Sequence, residues 1–405
     1  MVRLRLVTLL VVAALLAACG GAQPAATPAA EAPAEPTAAP AATAEAPAEA
    51  PAEAPAAPAT GELEVDRSQL SSELRIFNWG DYIDPSIIEE FEQEYGVSVV
   101  LDIFPSNEEM IAKVLAVPDY DIVVPSDYAI QIMVSDDLLA PLDKSLLPNL
   151  VHIDPELLDK YFDPGNVYSV PYFYGTTGIA YNTQVYPNGV DSWAALFDPA
   201  QLEAMKRAND GARASMLDEA RETIGAALKY LGYSLNETDP AALAEAQRLL
   251  IEQKPLIEYN IDDVNRELAS EELAIAHAWS GDAMQARNGL EDEFDGNPNI
   301  GFVIPKEGGT IWMDNLAILA DSPNAYTAHV FINFLMRPDI AARNTEYVGY
   351  LTPNKDAVPL LSQEIRDLYA QGFAPDAETL ERLEWIEHNE ATEVFNDIWT
   401  QVKGE

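Results

Sequence analysis

The chain has 405 residues, of which 67 are Asp or Glu and 23 are Lys or Arg, for a formal net charge of −44. A surface this acidic repels nucleic acid, whose phosphates require a basic footprint, and it attracts cations within the range that salt screening permits. The single cysteine excludes an internal disulfide, so the folded body must be held by core burial, which roughly 340 residues can supply.

The first nineteen residues, MVRLRLVTLLVVAALLAAC, carry Arg3 and Arg5, then an apolar run from Leu6 to Ala18, then Cys19. The run is too short to span a bilayer comfortably and has the layout of a secretory signal. Leu16-Ala17-Ala18-Cys19 resembles a bacterial lipobox, which implies that Cys19 is lipidated and begins the mature chain. Residues 20–62 are almost all Ala, Pro, Glu and Thr. They have no apolar surface to offset ordering entropy and read as an extended tether. A lipid, a tether and a globular body together predict a protein leashed to a membrane outside the cytoplasm.

Folded sequence begins near Glu73. LRIFNW (74–79) is a short strand, and DPSIIEEFEQEYG places Ile87, Ile88, Phe91 and Tyr95 on one helical face, with Gly96 placed to end the helix. VSVVLDIF is β-rich, Ser106 and Glu109 have capping-box spacing, and YDIVVPSDY closes another strand against a turn. This βαβαβ rhythm predicts a parallel sheet covered by helices. The alternation continues through 177–182, 214–231, 242–260 and 273–290, then a strand at 313–319 and a helix over AYTAHVFINFLM. The length favours two α/β lobes over one open sheet.

Ligands of open α/β sheets bind beyond the carboxyl ends of strands. Five strand-end loops there carry aromatic or acidic residues: NWGDY (78–82), PSDY (125–128), LDEARE (217–222), WSGD (279–282) and WMD (312–314). No enzyme motif accompanies them. His152, His277, His329 and His388 lack metal-ligand spacing, and there is no G-x-S-x-G elbow, P-loop or G-x-G-x-x-G. Paired carboxylates are plentiful, as chance alone predicts in so acidic a chain. Indoles and phenols attract a cation by about 0.5–2 kcal/mol, and a carboxylate adds about 1.5–3 kcal/mol. Three or four such contacts, less the association penalty, give about −8 kcal/mol, near micromolar.

Several stretches, NWGDYIDPSIIEEF, YDIVVPSDY, FDPGNVYSVPYFYGTTGIAYN, KEGGTIWMDNLAI and INFLMRPDIA with VGYLTPN, resemble the spermidine/putrescine-binding proteins of bacterial ABC importers. The resemblance runs in order from about Leu74 to the C-terminus. It implies a type II periplasmic binding protein of the α/β class: two α/β lobes with mixed five-stranded-type sheets and a ligand cleft between them. The expected borders are 1–19 for the signal, 20–62 for the tether, 73–174 plus 314–358 for the first lobe, and 175–313 plus 359–405 for the second. Trp79, Asp81 and Tyr82 of the first loop, Ser126, Tyr128, Glu219, Glu222, Trp279, Asp282, Trp312, Asp314 and Tyr350 are the implied ligand contacts. The implied partners are a polyamine and an ABC permease, with a monomer, no cofactor, no nucleic acid, and membrane contact only through the lipid.

Three positions depart from the spermidine pattern. Gly80 stands where a Thr is usual, Glu219 where an Asp is usual, and Ile386 where a Gln is usual, with Glu387 beside it as a substitute or a solvated residue. Asp81 and Asp282 resemble the putrescine branch and Trp312 the spermidine branch, so the pattern is mixed. Two other readings stay open at this point: the same fold serving another cationic or amino-acid-like solute for transport or sensing, and an extracellular hydrolase with a carboxylate pair.

Overall fold

Strands that are apolar on both sides belong inside a sheet covered by helices on both faces, and LAIAHAW at 273–279 is such a run. The computed structural model describes residues 63–404 apart from Pro118, Gly211, Ile261, Asp262, Glu291, Asp292 and Glu390; the signal, Cys19 and the tether lie outside the described residues. The strands are β1 (Glu73–Trp79), β2 (Ser98–Phe104), β3 (Ile122–Val123), β4 (Ser169–Asn182), β5 (Arg213–Leu217), β6 (Glu258–Asn260), β7 (Leu273–Trp279), β8 (Gly289–Leu290), β9 (Phe294–Asp295), β10 (Ile300–Val303), β11 (Gly309–Ile318) and β12 (Leu383–Glu384).

Local signals act as the sequence predicts. Asp84 accepts the N–H of Ser86, Pro85 opens the helix Pro85–Tyr95, Gly96 ends it at φ 73°, and Ile87 and Phe91 are buried. Ser106 accepts the N–H of Glu109 at 3.2 Å, which is half of a capping box.

β1 pairs in parallel with β2 and β3, and β5 in parallel with β6 and β7. The parallel sheet that the rhythm predicts is therefore present twice, but the blocks are joined by two antiparallel strands. β11 runs antiparallel to β4 from Thr310 opposite Thr177 to Ala317 opposite Ser169. The end of β11 also pairs with β3, whereas the end of β4 pairs with β7 and β10. Because β4 and β11 serve both blocks, hydrogen bonding is unbroken in the order β2-β1-β3-β11-β4-β7-β5-β6.

The strand expected at 177–182 is the second half of this fourteen-residue β4. Pro171 conceals its first half. Proline cannot donate to a ladder, and inside a sheet it is tolerated at irregularities. Here the register shifts where Pro171 meets Asn315, leaving Tyr172 as the extra residue of a bulge beside Asp314.

Each block has an apolar cluster on both faces. Leu74 and Ile76 pack with Ile87, Phe91, Phe331 and Phe334, while Phe77 and Val123 pack with Phe104, Met110 and Met133. In the second block, Ile275 and Met216 pack with Trp193, Phe197, Leu228 and Phe395, and Leu273 and Ala276 with Leu268, Phe302 and Phe373. The parallel strands of both blocks direct their carboxyl ends at the space between the halves.

Candidate functional site

That space is a cavity of about 460 Å³, within the size range of small-ligand sites. All twelve candidate residues line it, and so do Gly80 and Ile386. The strand-end rule explains most of this. Trp79 ends β1 and Asp81 and Tyr82 follow it, Ser126 and Tyr128 follow β3, Glu219 and Glu222 follow β5, and Trp279 ends β7 with Asp282 just beyond it.

Asp314 arrives differently. It sits in the middle of β11, not at a strand end, with the bulge immediately after it. Tyr82 donates to one of its oxygens and Ser126 to the other, both at 2.6 Å. Asn107 donates to Ser126 Oγ at 3.0 Å and to Tyr128 Oη at 3.1 Å, so one buried amide orients two wall residues. Glu222 is held on both oxygens by Thr177 and Thr310 at 2.8 Å each, with the Trp279 indole N–H at 3.4 Å. Tyr350 donates to Asp282 at 2.8 Å.

The aromatic wall is contiguous. Tyr350 meets Tyr82 at 5.3 Å and Trp312 at 5.2 Å, both edge-on. This wall depends on two glycines. A Cβ on Gly281 would lie 2.3 Å from the Tyr350 ring, and one on Gly175 would lie 2.6 Å from Trp312. At Gly80, by contrast, a Cβ meets nothing within 4 Å, so the missing polar contact leaves open space.

Among the described residues, seven carboxylates line the cavity: Asp81, Glu108, Asp127, Glu219, Glu222, Asp282 and Asp314. No Lys, Arg or His accompanies them among the described residues. Burial raises the proton affinity of most of them, because removing a carboxylate from water penalises its charged form. It brings Asp314 to about 6, Asp282 to about 7 and Glu219 to about 8, where Glu108 adds to the shift. Glu222 also rises, against the hydrogen bonds from its threonines. The backbone offsets part of this penalty. Asp127, Glu222 and Asp282 occupy the first turns of the helices Asp127–Ser135, Ala220–Leu231 and Ser280–Asn288, where the macrodipole favours negative charge. Among the described residues, no group of three or more of these acids has metal-holding geometry.

Some of these acids also serve the fold. Glu219 caps its helix by accepting the N–H of Glu222 at 2.7 Å. Asp127, which sequence reasoning passed over between Ser126 and Tyr128, accepts from the N–H of Tyr128 and of Met313 and so ties the PSDY loop to β11. Asn107 and Glu108 were also missed; they open the helix Asn107–Ala116, which two residues separate from the end of β2, so the strand-end rule applied evenly would have found them. Ile386 is buried in the wall, whereas Glu387 is exposed and lies outside the cavity lining, so it does not replace the missing glutamine.

Two α/β halves sharing antiparallel strands and enclosing an acidic, aromatic cavity define the class of two-lobed solute-binding proteins. A family model described as bacterial extracellular solute-binding protein matches residues 86–370. The spermidine/putrescine-binding periplasmic protein of Salmonella typhimurium is 37% identical over 335 residues, covering 82% of this chain and 91% of that one. A putrescine/cadaverine-binding protein of Pseudomonas aeruginosa is 37% identical over 341 residues, covering 82% and 94%. The solved spermidine/putrescine ABC transporter substrate-binding protein of Streptococcus pneumoniae shares 38% identity at a TM-score of 0.69, covering 82% of this chain and 99% of that one. The chain belongs to the bacterial extracellular solute-binding protein family.

Proposed function

We propose that this protein captures a polyamine, an alkyl chain bearing two or three ammonium groups, and delivers it to an ABC permease without chemical change. The observation that carries this reading is the cavity's composition: seven carboxylates, no basic side chain among the described residues, and a wall of tyrosine and tryptophan. Ammonium groups meet Asp314, the Glu219–Glu222 pair and Asp282, while methylene segments lie against Tyr82, Tyr350, Trp279 and Trp312. An anionic solute would meet only repulsion, and a neutral sugar would leave the charges uncompensated at a large desolvation penalty. Relatives named for spermidine, putrescine and cadaverine support the same ligand class. Cys19 is proposed to carry a lipid that retains the protein at the outer face of the cell membrane, with residues 20–62 as tether and the body acting as a monomer.

A thermal-shift series on protein stripped of ligand by unfolding and refolding tests this. A ligand present at 100 times its dissociation constant stabilises the native state by about 2.7 kcal/mol. Putrescine or spermidine should raise Tm by several degrees, and glutamate or maltose should not. A shift with maltose or glutamate and none with any amine would overturn the reading.

A further inference from the structure

Asp81 lies in the turn after β1 at φ 52°, a left-handed conformation that a non-glycine residue adopts at some energetic cost. Its carboxylate lies 3.6 Å from Arg266 Nη2. Arg266 belongs to the helix Val264–Ala269, whose Val264 and Leu268 are in the core beneath β7, whereas β1 is rooted in the clusters of the other half. The ion pair therefore crosses from one half to the other. Asp81 lines the cavity but Arg266 does not, which puts the crossing at the cavity's mouth.

Arg266 is already fixed before it meets Asp81. It pairs with Glu293 at 2.5 Å, and its guanidinium lies over the Phe294 ring at 5.4 Å. A guanidinium anchored by a carboxylate and a ring loses little further side-chain freedom on gaining a second carboxylate. Asp81 thus has a charge partner supplied by the protein, unlike Asp314 and Glu222, whose partners are hydroxyls and indole or phenol groups.

We propose that Asp81 and Arg266 form a latch across the cavity mouth, holding the two halves together over the bound solute, and that Asp81 acts on the ligand through this latch instead of by direct contact. This rests on the polyamine-capture reading and gives Asp81 a different role from the ligand contact that the resemblance implies. A bond made only when the halves meet slows release and leaves association nearly unchanged. Deeper in the cavity, Asp282 shares the local acidity but is bonded to Tyr350, so it does not compete for Arg266 among the described contacts.

The test is stopped-flow tryptophan fluorescence of the full chain with putrescine and spermidine, comparing wild type, Asp81→Asn, Arg266→Gln and the double variant. Partly exposed ion pairs contribute up to about 1 kcal/mol, so each single change should speed release roughly two- to five-fold for both amines. The double variant should release no faster than either single one. The differences should shrink in about 1 M salt, where the Debye length is about 3 Å. If Asp81→Asn speeds release equally in the Arg266→Gln background, Asp81 touches the ligand directly and the latch is wrong. The latch is equally wrong if Arg266→Gln leaves release unchanged. A wild type that binds neither amine would overturn the polyamine reading itself, an outcome distinct from both.

Discussion

Tyr82 donates its phenol hydrogen to Asp314 at 2.6 Å, joining the loop after β1 to the middle of β11. Asp314 also receives Ser126, so one buried carboxylate gathers two loops. Both of its oxygens keep acceptor capacity, since a carboxylate offers about four lone-pair sites. An ammonium entering the cavity can therefore bind Asp314 without breaking the framework that positions it.

Replacing Asp314 with Asn removes the charge while keeping an oxygen for one of its two donors. Losing a charge-assisted contact worth about 1.5–3 kcal/mol should weaken polyamine binding roughly 10- to 100-fold. The melting temperature without ligand should change little or rise, because the buried charge no longer has to be accommodated. Calorimetric affinity together with a thermal melt checks both halves of the prediction.

The raised carboxylates predict opposite pH trends for stability and binding. Burial pushes Asp314 up to about 6, Asp282 up to about 7 and, with the nearby Glu108 charge, Glu219 up to about 8, above the ordinary range near 4. A group whose proton affinity is higher in the folded state contributes stability that is fully present below its unfolded pKa and is lost as pH rises through its folded value. The ligand-free protein should therefore lose stability, as far as these groups go, between about pH 4 and pH 8. Affinity for a cationic ligand should rise over the upper part of that window, because the ammonium binds the deprotonated forms. Titration at pH 7 in two buffers of different ionisation enthalpy should show protons released on binding; proton uptake would contradict the assignment.

Gly281→Ala tests the aromatic wall. The added methyl would sit 2.3 Å from the Tyr350 ring, so Tyr350 must move away from Asp282 and Trp312. Overpacking of this kind costs about 1–3 kcal/mol of stability, and binding should fall at least ten-fold. Normal affinity in this variant would show that Tyr350 does not shape the ligand's seat.

Trp279→Leu separates wall from core. The indole is only partly buried and reaches Glu222 at 3.4 Å. Loss of a cation–π contact, about 0.5–2 kcal/mol, predicts roughly 2- to 30-fold weaker binding with a smaller change in stability. A large stability loss at unchanged affinity would assign Trp279 to packing.

What the sequence showed of this site, and what it concealed, follow the same physical division. Loops such as NWGDY and WSGD were legible because an aromatic and an acid after an apolar run are local features. The crossing strands were not, because Pro171 interrupts the pattern and only the bulge opposite Asn315 makes room for it. The need for glycine at 281 was invisible for a similar reason: Tyr350, which fills the space of the missing Cβ, lies in another part of the chain. Asp127 and Asp81 show the limit of residue type as a signal. Both are acids at strand ends, yet the first is engaged by backbone N–H groups and the second by an arginine.

The most direct test of the central claim is calorimetric titration of stripped protein with putrescine and spermidine, in wild type and in an Asp314→Asn, Glu222→Gln double variant. The account predicts one-to-one saturation near micromolar or tighter for wild type, and loss of at least 100-fold in a double variant that still melts cooperatively. Equal binding by the two proteins, or no binding by wild type, would contradict it.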